Sequence, residues 1–189
     1  MEREVMWISL DSQVFEHVLL FNHNNSILAD GIIIHLEKNS SYRIRYNIEC
    51  DSFWRVRKVE LNMLDNSNRN LLMFSDGEGN WTNQNGEIIA ELNGCIDVDI
   101  YYSPFTNTVA IKRLNLKLNE SGEIITAYIN TPELTAVPDP QRYTFLEQSP
   151  ELSKYLYESI DSDFKAELSV DSDMLLIEYP QFFRRHWAR

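Results

Sequence analysis

The feature that most constrains the fold is a two-residue alternation of apolar and polar side chains, which recurs along most of the chain. It is clearest in Tyr42–Cys50, where Tyr, Ile and Cys alternate with Arg, Asn and Glu. Because successive side chains of a strand point to opposite faces of a sheet, this pattern predicts a strand with one buried and one solvated face. Residues 54–64 repeat the alternation after a polar turn, so residues 42–64 are predicted to form a β-hairpin.

Turn-forming residues interrupt the alternation about every ten residues, the spacing of short strands in all-β proteins. The prolines in residues 131–140 predict an irregular loop, and Ser149 followed by Pro150 predicts one helical turn through residue 154. Little 3.6-residue periodicity is visible, so we expect an all-β chain folded as an antiparallel sandwich, barrel or rolled sheet. Further strands are predicted over residues 5–10, 14–21, 27–36, 71–75, 87–92, 96–102, 111–118, 123–130, 141–147, 155–159, 164–170 and 174–179.

Residues 92–114 contain the most informative stretch. Ile96, Val98 and Ile100 fall on one face of a predicted strand, while Asp97 and Asp99 fall on the other. We expect the apolar face to lie in the core and the acidic face to lie outside it. The polar segment that follows, SPFTNT, is predicted to be a turn-rich connection to the next strand, at residues 111–118.

Composition narrows the classes of function. The chain has 189 residues and no linker rich in Gly, Ser or Pro, so we expect a single domain over residues 1–189. Its net charge of −12 argues against binding to nucleic acid or to anionic membrane surfaces. No apolar run of about 18 residues is present to span a bilayer, and no signal peptide is visible. Two cysteines without CxxC spacing, Cys50 and Cys95, suggest reduced thiols in the cytoplasm.

Asp97 and Asp99 are the strongest catalytic candidates. On one strand face their side chains would stand about 6.6 to 6.8 Å apart, near the spacing of the two carboxylates of an inverting glycosidase. The alternative is that they solvate the strand or pair with Lys112 or Arg113. The four histidines are scattered and no nucleotide-binding motif occurs, so neither a metal site nor a cofactor is predicted.

The 22 aromatic residues suggest a different kind of site. A rolled sheet whose inner face carries aromatic rings can enclose an apolar cavity with a few polar anchors, although the same rings could equally fill the core. Trp54, Arg55 and Arg57 form a short aromatic and cationic run that could grip a hydroxyl-rich or anionic head group. Pairing of these arginines with the acidic excess of the chain is the alternative.

Several segments in this order resemble the bacterial glycolipid-binding family, formerly a domain of unknown function. The most specific are GCIDVDI at residues 94–100, PFTNT at 104–108 and IKRL at 111–114, and weaker ones are DSFWRVR at 51–57 and DGEGNW at 76–81. The resemblance covers nearly the whole chain. It implies one long antiparallel sheet rolled into a spiral or flattened barrel, similar in shape to periplasmic lipoprotein carriers, and it implies no catalytic residue.

The leading hypothesis is therefore a protein that binds a lipid or glycolipid on the concave side or in the mouth of a β-roll, without catalysis. Its candidate ligand-binding residues are Trp54, Arg55, Arg57, Trp81, Asp97, Asp99, Asn107 and Arg113. Two alternatives remain open at this point: an enzyme that acts on a saccharide through Asp97 and Asp99, and a protein-interaction module without a small ligand.

Overall fold

The computed structural model of this protein describes residues 2–36, 41–65 and 67–189. They form one sheet of 14 strands, which confirms the prediction of an all-β rolled sheet. The strands are β1 (Glu2–Ser9), β2 (Val14–His23), β3 (Ser26–His35), β4 (Tyr42–Cys50), β5 (Val56–Met63), β6 (Asn70–Ser75), β7 (Trp81–Asn83), β8 (Asp97–Ile100), β9 (Ser121–Asn130), β10 (Thr135–Gln148), β11 (Ser153–Ser159), β12 (Lys165–Val170), β13 (Leu176–Tyr179) and β14 (Phe183–Ala188).

The order across the sheet is β7-β6-β5-β4-β3-β2-β1-β14-β13-β12-β11-β10-β9-β8. Strands β1 to β7 form one half of the sheet and strands β8 to β14 form the other. The halves are joined by the pair of β1 and β14, in which Val5 lies opposite Ala188. Each described pair is antiparallel except β8 with β9, which run parallel with Asp97 opposite Thr126. A parallel pair cannot be joined by a tight hairpin and needs a longer connection, and here that connection contains a helix.

This helix, α1 (Phe105–Leu114), lies where a turn and then a strand at 111–118 are predicted, so that prediction is wrong. Its residues 105–111 are all buried. A helix that is covered on every side carries no polar stripe, and its sequence therefore lacks the amphipathic period by which surface helices are recognised. Asn115 ends α1 in a left-handed conformation, with φ of 45° and its N–H donated to the carbonyl of Ile111.

The sheet curls around α1. The helix bonds to strands that lie far apart in the sheet order: Phe105 contacts Glu16 of β2, Asn107 contacts Tyr143 of β10, and Arg113 contacts Asp97 of β8. A flat sheet could not bring these strands to one short helix. The concave side is thus occupied by α1 and by the apolar side chains that pack against it.

The two edges of the sheet approach each other without forming a strand pair between β7 and β8. Gly94 N–H donates to the carbonyl of Gly79 over 2.8 Å. The indole nitrogen of Trp81 donates to the carbonyl of Cys95 over 2.6 Å. On the outer side of β7, the Ile89 N–H bonds to the Trp81 carbonyl.

Gly31 is required inside β3. A Cβ atom at this position would lie 2.0 Å from Cζ of Tyr46, because the ring of Tyr46 on β4 lies directly over the glycine. The missing side chain therefore makes room for a buried tyrosine.

Three further segments differ from the prediction. Residues 87–92, predicted as a strand, form a single bridge at Ile88 and then a 3₁₀ turn at Ala90–Leu92. The expected helical turn at 149–154 is a connection that leads into β11. The expected loop at 131–140 belongs largely to β10, and Pro138 and Pro140 fit there because pairing with β11 begins only at Gln141.

No helix among the described residues is long and apolar enough to cross a membrane.

Candidate functional site

A cavity of about 320 Å³ opens at one end of the roll, beside the start of α1. The side chains around it come from the ends of β8, β9, β11, β13 and β14 and from the turns next to them. Its lining residues are Asp99, Ile100, Tyr101, Tyr102, Ser103, Pro104, Asn107, Tyr128, Tyr157, Phe164, Tyr179, Phe182 and Phe183.

Aromatic rings dominate the wall of this cavity. Tyr179 and Phe182 have ring centroids 5.2 Å apart, and Phe164 lies 5.5 Å from Phe182. Tyr157 joins this group at 6.2 Å from Tyr179. Phe182 is 43% exposed although it is a large apolar residue. The rings therefore contact one another edge to face and leave part of their surface uncovered.

Asp99 supplies the carboxylate of the cavity. It accepts hydrogen bonds from Oγ1 of Thr106 on α1 over 2.8 Å and from Nε2 of Gln141 on β10 over 2.9 Å. The same Gln141 nitrogen donates to Asp139 over 2.8 Å, so one amide links two carboxylates. Burial raises the pKa of Asp99 to about 6, against the lowering effect of its two hydrogen bonds.

Asn107, the other polar group from the predicted set that lines the cavity, is fixed by two hydrogen bonds. Its Oδ1 accepts from the hydroxyl of Tyr143 over 3.0 Å, and its Nδ2 donates to the carbonyl of Pro104 over 3.3 Å. Asn107 and Asp99 are thus held by neighbouring side chains and backbone before any ligand arrives, which limits the entropy lost on binding.

Asp97 lies two residues before Asp99 on β8 and has different surroundings. It is fully buried, and Arg113 of α1 grips both of its oxygens, at 2.6 and 2.5 Å. Burial raises the pKa of Asp97, while Arg113 lowers it. Because α1 covers the acidic face and Val98 is also buried, the expectation that only one face of this strand is covered is wrong. Neither Asp97 nor Arg113 lines the cavity.

The remaining predicted site residues lie near the β6–β7 turn and do not line the cavity. Arg55 pairs with Glu78, and Arg57 donates to the carbonyl of Asp76. Trp54 packs against the core with Nζ of Lys112 5.6 Å from its ring centroid, and Trp81 is buried. Arg55 thus makes an ion pair of the kind weighed for it as the alternative, whereas Arg57 bonds to the backbone of the turn.

Glu16 is a buried acid that sequence reasoning missed. Its carboxylate accepts hydrogen bonds from the hydroxyl of Tyr46 over 2.7 Å, from the hydroxyl of Ser103, and from the N–H of Phe105 over 3.1 Å. Burial raises its pKa to about 7. The sequence did carry a sign of it, because Glu16 falls in phase with the buried Val14 and Val18 on β2. Since Ser103 lines the cavity, Glu16 holds one residue of the cavity wall in place.

The described residues contain no group of three or more His, Cys, Asp or Glu side chains that could hold a metal ion. Cys50 and Cys95 are both free and buried.

Comparisons with known proteins agree on one family. A family model described as "Putative glycolipid-binding" matches residues 4–185. The crystal structure of a DUF1089 family protein from Pseudomonas aeruginosa is similar to this fold, with a TM-score of 0.80, 34% sequence identity and 92% of each chain covered. No curated protein matches the chain.

Proposed function

The chain belongs to the glycolipid-binding family whose model it matches, and on that premise we propose that it binds a glycolipid at the aromatic cavity. The observation that carries the proposal is the combination of uncovered aromatic rings with fixed polar groups in one concave site. Ligand sites in proteins are mostly apolar clefts of about 300 to 1,000 Å³ with a few placed polar groups, and this cavity lies near the lower limit.

The chemistry of the two ligand parts matches the two parts of the cavity. A sugar ring has apolar C–H faces and a rim of hydroxyl groups. Phe182 and Tyr179 offer ring faces and edges to the apolar parts, while the carboxylate of Asp99 accepts hydrogen bonds from hydroxyl groups. Because α1 and the core fill the concave side, the proposed ligand sits in the mouth of the roll, with its alkyl chain along the exposed aromatic rim.

The enzyme alternative is not favoured by this arrangement. A glycosidase mechanism needs two carboxyl groups on opposite sides of one bond of the substrate. Asp97 is held by Arg113 outside the cavity. Of the two carboxylates of the candidate catalytic pair, Asp99 is therefore the one that lines the cavity. We therefore propose a binding function.

Two exposed phenylalanines allow a matched test. Phe182 lines the cavity and is 43% exposed, whereas Phe74 on β6 is 39% exposed and does not line it. With octyl glucoside as the probe in isothermal titration calorimetry, Phe182→Ala is expected to weaken binding about tenfold, because it removes an aromatic contact. Phe74→Ala should bind like the parent protein.

Native mass spectrometry of the purified protein gives an independent readout, in which a retained glycolipid or detergent adduct is expected. Equal effects of the two substitutions would overturn the placement of the site. An absence of binding to octyl glucoside and to longer alkyl glycosides would overturn the proposed function.

A further inference from the structure

The charge of the aromatic cavity restricts the head group that it can accept. Among the described residues, no lysine or arginine lines the cavity, whereas Asp99 does. Asp139 lies beside it, joined to Asp99 through the amide of Gln141. A phosphate or carboxylate head group would meet negative charge here without a cation to pair with.

We infer that this cavity selects ligands whose head group carries a protonated amine, such as an amino sugar bearing an alkyl chain. This inference rests on the proposed function and narrows its substrate class. An ammonium group near Asp99 would gain a charge-assisted hydrogen bond, which is about twice as strong as a neutral one.

The aromatic rings support the same class of ligand. A cation within about 6 Å of a ring centroid is attracted to the negative face of the ring, and several rings around one cation form the aromatic cage that recognises organic ammonium groups. Tyr157, Tyr179 and Phe182 line the same cavity as Asp99, so a cation bound by Asp99 would lie beside their rings. A neutral sugar hydroxyl gains no equivalent attraction.

The phenols near Asp99 add no charge to the cavity. Burial raises the pKa values of Tyr128, Tyr157 and Tyr179, and the charge of Asp99 raises each of them further. These phenols therefore stay neutral and contribute no competing charge. The other titratable groups near Asp99 include Asp139 and Tyr143 of β10, Tyr101 and Tyr102 of the cavity wall, and Glu16 of β2, which bonds to Ser103.

The experiment compares two probes that differ at a single substituent of the sugar ring. Octyl glucosaminide carries an ammonium group where octyl glucoside carries a hydroxyl. At pH 7 the parent protein is expected to bind the amine about tenfold more tightly than the hydroxyl compound. The preference should shrink several-fold at pH 5, because Asp99, with a pKa of about 6, is then mostly neutral. The amine itself stays protonated in this range, as α-amino groups with pKa values of about 7.7 to 8.0 do.

Two substitutions with the same effect on net charge identify the source of the preference. Asp99→Asn is expected to bring the affinity ratio of the two probes close to one and to remove its pH dependence. Glu78→Gln removes a carboxylate that is 67% exposed and pairs with Arg55, so the ratio should stay as in the parent protein. If Asp99→Asn does not fold, the pH dependence of the preference in Glu16→Gln decides the question, because Asp99 is then the one of these two buried acids that can still titrate.

The outcomes separate this inference from the proposed function. Binding of both probes with equal affinity at pH 7 would overturn the amine selectivity and leave glycolipid binding in place. Binding of neither probe would overturn both. An amine preference that survives in Asp99→Asn, or that is lost equally in Glu78→Gln, would show a nonspecific charge effect and overturn the inference.

Discussion

Replacing Glu16 by glutamine should stabilise the folded protein at neutral and alkaline pH. The carboxylate of Glu16 is fully buried between β2, β4 and the start of α1. Glutamine has the same shape and no charge. Its Oε1 can accept from the N–H of Phe105, while its Nε2 can donate to the hydroxyls of Tyr46 and Ser103, because a hydroxyl either donates or accepts.

The size of the effect follows from the shifted pKa. Burial moves the pKa of Glu16 from 4.5 to about 7 in the folded protein. A raised pKa of an acid means that its contribution to the free energy of unfolding is fully present below 4.5 and is lost as the pH rises through 7. At about 1.36 kcal/mol for each pKa unit, the total loss in the parent protein is about 3 kcal/mol. About 2 kcal/mol of it falls between pH 5.5 and pH 8.5.

Urea unfolding followed by tryptophan fluorescence measures this loss. The window of about pH 5.5 to 8.5 avoids the sequence pI of 4.7, where solubility is lowest. The difference in unfolding free energy between Glu16→Gln and the parent protein should grow in favour of the variant by about 2 kcal/mol across this window.

The shape of the curve is the decisive part. A constant offset between the two proteins at every pH, of either sign, would mean that Glu16 does not change its ionisation between the folded and unfolded states in this range. That result would refute the reasoning even if the variant were more stable.

Two more predictions concern buried contacts. Arg113→Ala leaves the buried Asp97 without its partner and is expected to lower the unfolding free energy by about 3 to 5 kcal/mol. As a control, Arg45→Ala removes the exposed partner of Asp30 and should lower it by no more than about 1 kcal/mol. Similar losses in the two urea curves would contradict this prediction. Gly31→Ala would force a Cβ atom to 2.0 Å from Tyr46 and should lower the melting temperature by at least about 4 °C in a thermal scan. An unchanged melting temperature would show that the ring can move aside.

Strands with one solvated face were the most predictable part of the fold. The bounds of β4, Tyr42–Cys50, coincide with the predicted ones, because apolar and polar residues alternate there without interruption. The helix α1 could not be found in this way. It is buried on all sides over residues 105–111, and its Thr, Val and Ile side chains are more typical of strands than of helices.

The prolines of β10 misled the prediction for a related reason. Pro138 lies opposite Ala127 of β9, in a part of β10 that β11 does not pair with. Whether a strand lacks a second neighbour is a property of the sheet, and no local pattern in the sequence expresses it.

The candidate site was predictable only in part. Asp99 and Asn107 were in the predicted set, because the acidic alternation and the segment after it drew attention to them. Both residues line the cavity. The aromatic rings of the wall come from turns and strand ends between Tyr101 and Phe183, which are far apart in the chain. Their meeting depends on the curl of the sheet, so no linear motif marks them.

The contacts between the two edges of the sheet affect how this protein behaves at high concentration. An open sheet of 14 strands would ordinarily expose a row of unpaired amide and carbonyl groups on each edge strand, and such edges can pair with other chains and form fibres. Here one terminal strand has only three residues and the other only four. The Ile89 amide caps the outer side of the first, and the bonds from Gly94 and Trp81 draw the two edges together. The edge strands therefore offer few free backbone groups to which another chain could add a strand. The sheet gains this protection against aggregation although its two edge strands do not pair.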